Sequence, residues 1–437
     1  MKKIVIICLW FLPCLLSAQE RWDLKACISY GLKHNAQVMC SSLDVEARRA
    51  DLRMSKEALL PNIYGFADMR SNYGRSIDGK TNQLSNIHNY SSNANISTSV
   101  VLFEGFTRVN EIAYHRYNVL QGNDEKRLAE NSTVSTIIKA YYQLLLASEM
   151  KTMAQKQRDI GYRLHRDMQQ FVKVGRESKV KEQKLYAQYL SDKSKYIKAS
   201  SDEQMARNQL NHVLSLDVPI KLDTTLTFNT PLFTLDSLVS PSMNLADLSS
   251  CSHQIDKDTK RLKMIRGKRL PTLTLGAYYA TNYYLSNKDG VRNDPFIDQI
   301  NNNQNQQIYL KLSIPIYDNG RHRRNIRKAR IQLSMDKVLL KEKERIVHQM
   351  IQDTWVQLNS AKERYSASKA LYDHSSMALE RVQKELKVGM VNPQDVALVR
   401  QQFSESWYEM LQAKYEMDIQ RLLLRYYELG DWSFIKK

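Results

Sequence analysis

Residues 92–116, SNANISTSVVLFEGFTRVNEIAYHR, and residues 306–330, QQIYLKLSIPIYDNGRHRRNIRKAR, share one design. Each starts with apolar residues at alternate positions, turns at an acid and a glycine (Glu104-Gly105; Asp318-Asn319-Gly320), and then takes up three-and-four spacing. Period two belongs to strands and period 3.6 to helices. The chain therefore states a strand–turn–helix unit twice. The copy extends in both directions: Leu60-Pro61 and Leu270-Pro271 each open a Tyr-rich stretch, and Lys173-Val174-Gly175 recurs as Lys387-Val388-Gly389. The offset between the turn glycines (105 to 320) and that between the later glycines (175 to 389) agree to within one residue, which points to a tandem duplication. The expected organisation is a first repeat over 19–218 (helix, two strands, long helical hairpin), a linker over 219–241 punctuated by Pro219, Pro231 and Pro241, a second repeat over 242–430, and a tail over 431–437.

The N-terminus has a basic head (Lys2-Lys3), an apolar run from Ile4 to Leu16 and small residues at Ser17-Ala18. That is the form of a secretory signal peptide, expected to span 1–18, with an apolar run too short to cross a bilayer. Beyond it no run of 18 or more apolar residues follows, so no transmembrane helix is expected. Cys27, Cys40 and Cys251 remain in an exported chain. The first two fall on one helical pattern covering 22–58, about 20 Å apart at ~1.5 Å per residue, too far to bridge. A formal charge of +18 in 437 residues, spread over long helices, suits anionic lipid, acidic cargo or an acidic partner on the exported side better than nucleic acid.

Four strands are expected after the two Leu-Pro pairs: Ile63–Arg75, a second over 93–102, Leu273–Leu285, and a fourth over 308–317. In the second, Ala94, Ile96, Thr98, Val100 and Leu102 alternate with Asn93, Asn95, Ser97, Ser99 and Val101; in the fourth, Ile308, Leu310, Leu312, Ile314 and Ile316 alternate with Tyr309, Lys311, Ser313, Pro315 and Tyr317. One face is apolar and the other is wet. Each segment reaches the ~9–11 residues that a tilted strand needs to cross hydrocarbon, and their tyrosines suit interfacial girdles. Polar segments 76–89 and 286–306 read as external loops. Four strands cannot close a barrel, since the smallest spanning barrels have about eight, and an open edge in lipid leaves backbone groups unpaired. Several identical chains must share one barrel.

Between these strands, proline-free helical patterns run from Gly105 to about Val174 and from Gly320 to about Val388, far longer than globular helices. Returning helices start near Ser178 and Asn392. A glycine suited to a left-handed helix end (Gly175, Gly389) precedes an N-cap (Ser178, Asn392), and the second restart adds Pro393 and Asp395. Because the chain crosses and returns in each half, both hairpin tips (Val174, Gly175, Ser178; Val388, Gly389, Asn392) point to the side from which it started, the periplasm.

On Leu60-Pro61, Leu270-Pro271, Val101-Leu102-Phe103-Glu104-Gly105, Ile314-Pro315-Ile316-Tyr317-Asp318-Asn319-Gly320, Val174-Gly175 and Val388-Gly389, the chain resembles the TolC-type outer-membrane efflux proteins over nearly its whole mature length. The resemblance implies a mainly α fold with membrane β: long antiparallel α-helical hairpins, and four strands per chain in a shared, trimeric 12-stranded β-barrel. It implies a homotrimer in the outer-membrane lipid, serving as the passive exit duct of an efflux or type I secretion system. Its tips would dock on a periplasmic adaptor served by an inner-membrane transporter. Family members constrict the entrance with acids three residues apart. Asp395 matches the first and Leu398 stands at the second, so the resemblance carries over a single ring from Asp395.

No Gly-rich phosphate loop is present, and Cys251 with His253 lacks further ligands at metal-site spacing. No enzyme activity, cofactor, metal site or nucleic-acid partner is expected. The run Arg321-His322-Arg323-Arg324 with Arg327, Lys328 and Arg330 reads as a basic collar at the lipid interface. The alternative reading of the whole chain is a periplasmic adaptor whose helical hairpin bridges the two membranes.

Overall fold

The computed structural model describes residues 21–77, 82–216, 221–222, 245–286, 292–387 and 390–436. The expected signal peptide, nearly all of the 219–241 linker, and Val388 and Gly389 lie outside the described residues. In chain order the elements are β1 (Arg21–Trp22), α1 (Leu24–His34), α2 (Ala36–Glu57), β2 (Asn62–Ile77), β3 (Leu84–Glu104), α3 (Thr107–Lys173), α4 (Lys179–Leu214), β4 (Lys221–Leu222), α5 (Ala246–Gly267), β5 (Thr272–Ser286), α6 (Phe296–Asn302), β6 (Asn305–Ser313), α7 (Arg321–Lys387), α8 (Pro393–Leu429) and α9 (Ser433–Lys436). Two compact units result, one from Leu43–Glu125 and Asp247–Lys343, the other from the described parts of Met1–Ser42, Lys126–Ala246 and Glu344–Lys437. Each takes segments from both halves of the sequence.

The first unit holds a four-stranded antiparallel sheet in the order β2-β3-β5-β6. Residues that pair directly share a face, and the register gathers most of the aliphatic side chains on one of them. Ile63, Ala67 and Met69 of β2 lie on the face of Ala94, Ile96 and Val100 of β3, Leu273, Leu275 and Ala277 of β5, and Ile308, Leu310 and Leu312 of β6. The opposite face carries Asp68, Asn93, Asn95, Ser97, Asn282, Lys311 and Ser313. Both faces are therefore as the alternation indicated, with one correction. A bulge between Val101 and Phe103 leaves Leu102 outside the pairing and brings Phe103 opposite Leu273, onto the apolar face.

Three other expectations about the sheet change. Residues 76–77 and 84–89 are paired strand rather than loop, because polar cross-strand partners hold them: Tyr73 and His88 stack at 3.8 Å and Asn72 Nδ2 donates to Asn89 Oδ1 at 2.8 Å. The fourth strand stops at Ser313, since Pro315 has no N–H to donate and restricts Ile314. Residues 286–306 contain α6, started behind Pro295. This segment also finishes the β5 edge beyond the start of β6. Asn293 exchanges two hydrogen bonds with the Ser286 backbone, Gln299 Oε1 accepts from the Tyr284 amide, and Asn303 Nδ2 donates to the Asn282 carbonyl. Amide side chains thus do the work of a neighbouring strand.

The second unit is helical, and its fully buried side chains include Ile137, Ile138, Tyr141 and Leu144 of α3, Leu210 and Leu214 of α4, Ile351 of α7, and Leu422 and Leu424 of α8. Burial of this apolar surface is its main driving force. The helical pattern over 22–58 is broken at Asn35, which takes extended backbone between α1 and α2. Its Oδ1 accepts from the Gln37 and Val38 amides, and its Nδ2 donates to the Val213 carbonyl. Cys27, at the buried face of α1, has its thiol pushed up to about 12 by burial and the nearby Asp23. It is an inert core residue.

Candidate functional site

The first hairpin tip ends α3 as the glycine requires. Gly175 has φ 74°, the Arg176 amide donates to the Phe171 carbonyl at 2.9 Å, and the Gly175 amide donates to the Val172 carbonyl at 3.1 Å. That double closure is a Schellman motif. Ser178 then caps α4, accepting from the Lys181 amide at 3.3 Å, and Val174 stands 67% exposed at the turn. At the second tip the Met390 amide donates to the Glu385 carbonyl at 2.9 Å, the counterpart of the Arg176–Phe171 bond. The Asn392 carbonyl accepts from the Asp395 amide at 3.0 Å and starts α8. Asp395 is exposed in that first turn, where its charge complements the helix dipole. Leu398, one turn further on, is also exposed.

At the other end of the long helices, the two strand–helix turns match. Gly105 and Phe106 have φ 57° and 61°, and Asn319 and Gly320 have φ 55° and 72°. A Cβ at Gly105 would stand 2.1 Å from the Gly267 carbonyl oxygen, so only glycine lets the end of β3 approach the end of α5. The acids serve the helix starts. Glu104 pairs with Arg108 at 3.2 Å, and Asp318 accepts from the His322 amide at 2.6 Å. Burial works to raise the Asp318 carboxyl, but the His322 amide and the neighbouring His322 and Arg321 side chains hold it below the ordinary range.

Two buried polar contacts escaped the sequence. Arg400 of α8 pairs with Asp192 of α4 and also reaches Gln157 of α3, giving its Nε to Oε1 at 2.6 Å and its Nη2 to the carbonyl at 2.8 Å. Asp258 of α5 and Asp336 of α7 are both buried, and burial, with the neighbouring Asp258 carboxyl, raises Asp336. The Gln-x3-Asp spacing at 188–192, 254–258 and 332–336, in which each glutamine donates to its aspartate at 3.0 Å, was the available signal. His253, considered beside Cys251, instead engages Asp124 at 2.6 Å. Among the described residues no group of three or more His, Cys, Asp or Glu side chains could hold a metal ion.

The family model for the outer membrane efflux protein matches residues 28–215 and 243–427. The outer membrane efflux protein BepC of Brucella suis biovar 1 (strain 1330) is 20% identical over 386 residues, covering 88% of this chain and 80% of that protein. The outer membrane channel CmeC of Campylobacter jejuni superposes with a TM-score of 0.79 at 15% identity, covering 93% of this chain and 85% of that one. The open state of the MtrE outer membrane channel of Neisseria gonorrhoeae gives 0.75 at 17% identity, covering 93% and 89%. At these identities the structural likeness concerns the fold, and it is the family model, matched over most of the chain, that assigns membership. The two-faced sheet, the paired strand–helix turns and the long hairpins are the features of an outer-membrane channel, and this chain belongs to the outer membrane efflux protein family.

Proposed function

We propose that this outer-membrane channel works as a homotrimeric exit duct for cargo handed over by a periplasmic adaptor and an inner-membrane transporter. The protein lies in the outer membrane with its helices in the periplasm, and it is a passive channel rather than an enzyme. The observation that carries the oligomeric part is the sheet's pair of open edges. β2 and β6 each pair on one side only, while the apolar face shared by Ile63, Ile308, Leu310 and Leu312 is exposed. Such edges are not tolerated in lipid. Three copies, pairing β6 of one with β2 of the next, would make a closed barrel of about 12 strands, an even number within the range of such barrels. The adaptor reading gives way, because an adaptor has no use for a sheet with one lipid-compatible face.

The same proposal assigns roles to the remaining residues. The 1–18 segment directs export and is removed, the two repeats flank the 219–241 linker, and the tips at Val174, Gly175, Ser178, Val388, Gly389 and Asn392 form the adaptor-docking end. One Asp395 per chain narrows the entrance. The test is single-channel recording in planar bilayers. Purified protein should give discrete conductance steps, and membrane-incorporated protein that never conducts, even with Asp395→Asn, would refute the duct.

A further inference from the structure

The Phe103 and Phe106 rings meet edge to face, 5.4 Å between centroids. Phe103 is on the apolar face of the sheet, so Phe106, held at positive φ, carries that face around the turn and down onto the helices. A left-handed conformation is unfavourable for a bulky residue. The Phe106 ring borders a groove of about 750 Å³ between the start of α3, the end of α5 and the start of α7. Phe106, Val109 and Leu270 supply exposed apolar surface, and Lys263, Arg266, Arg269 and Arg330 supply four cationic groups. No acid lines the groove, and none of the four cations makes an ion pair among the described residues. The nearby Glu104 and Glu111 are engaged by Arg108.

Apolar surface continuous with a lipid-facing sheet, ending on unpaired cations of the helices at its turn end, fits a lipid whose tails lie on the sheet and whose head carries negative charge. We infer that this groove binds the phosphodiester headgroup of an anionic phospholipid in the periplasmic leaflet. Lys263, Arg266, Arg269 and Arg330 engage the phosphate, and Phe106, Val109 and Leu270 contact the adjoining acyl chains. Arginine donors suit phosphate oxygens through paired N–H groups. Each cation near a bilayer surface contributes attraction of about fivefold. The inference rests on the sheet lying in the membrane.

The experiment reconstitutes the full-length protein in nanodiscs of phosphatidylcholine doped with phosphatidylglycerol and counts retained lipids by native mass spectrometry. Wild type should retain phosphatidylglycerol over phosphatidylcholine, and the variant Lys263→Gln/Arg266→Gln/Arg269→Gln should lose about tenfold or more of that preference. The charge-matched control Lys193→Gln/Lys337→Gln/Lys369→Gln, none of which lines the groove, should keep it. In parallel, a photoactivatable phosphatidylglycerol should label wild type at 105–110 and 263–270, a readout that does not depend on the variant folding. Equal retention of both lipids by wild type, displacement by inorganic phosphate at matched concentration, or labelling confined to other basic segments would each overturn the site. Failure to enter nanodiscs of any composition would instead overturn the membrane reading itself.

Discussion

Arg400 Nη2 lies 3.1 Å from Asp192 Oδ2, with the two side chains only 5% and 6% exposed. The pair ties the returning helix of the second half to that of the first, and Gln157 of α3 completes the arginine's partners. Removing one member of a buried pair leaves a stranded charge, at a cost of about 3–5 kcal/mol, whereas replacing both by apolar groups is often neutral. Arg400→Ala and Asp192→Ala should each lower the thermal midpoint clearly, and Arg400→Met/Asp192→Leu should recover most of the loss. Thermal unfolding followed by circular dichroism checks this, and a double variant as unstable as the singles would show that the pair contributes more than charge compensation.

The sheet faces give a second test. Leu312 pairs with Leu273 on the apolar face, while Ser313 pairs with Thr272 on the polar one. Leu312 is close to the turn end of β6, so Leu312→Arg should cost up to about 1 kcal/mol, as charges do near the interface, and reduce heat-resistant assembly on gels. Ser313→Arg should assemble normally and change conductance. Equal assembly defects would reverse the face assignment.

At the tips, Gly175→Val forces a β-branched residue to φ 74° and should destabilise the turn by about 1–2 kcal/mol. Pull-down with the cognate adaptor should weaken while the assembled barrel persists. Asp395→Asn should raise conductance modestly and relieve block by divalent cations, since carboxylates brought together at an axis repel and attract cations. Unchanged block would return Asp395 to a helix-dipole role alone.

The Asp258–Asp336 contact predicts a pH dependence. Burial and the neighbouring Asp258 carboxyl raise Asp336, with Lys257 and Arg261 close by. A carboxyl whose folded pKa is raised contributes stability that is present below its ordinary pKa and is lost as pH rises through the raised value. Asp336→Asn keeps a hydrogen-bonding group without the second charge. It should leave stability little changed in acid and increase it at neutral pH. Thermal midpoints measured across that range check the sign, and a variant destabilised at neutral pH would contradict it.

Much of this molecule was legible because its signals are local. The acid–Gly turns at 104–105 and 318–320, the Leu-Pro pairs and the Gly175–Ser178 tip each impose a conformation within a few residues, and the long helices between them need only an uninterrupted pattern. The break at Asn35 was also local, for an asparagine that caps a helix can interrupt a pattern that otherwise continues. The Asn-rich 301–303 run masked α6, whose amides serve the β5 edge. The bulge at Leu102 depends on the register of β5, and the Arg400–Asp192 and Asp258–Asp336 contacts depend on helix rotations set by packing. A single strand or helix contains neither kind of information.

The most direct measurement of the central claim is the mass of the intact assembly released from detergent micelles. Among the described residues β2 and β6 each pair on one side only, and open edges are not tolerated in a bilayer. The expected result is one species of three chains that resists dilution and comes apart only on denaturation. A folded single chain, stable in detergent at every concentration, would contradict it.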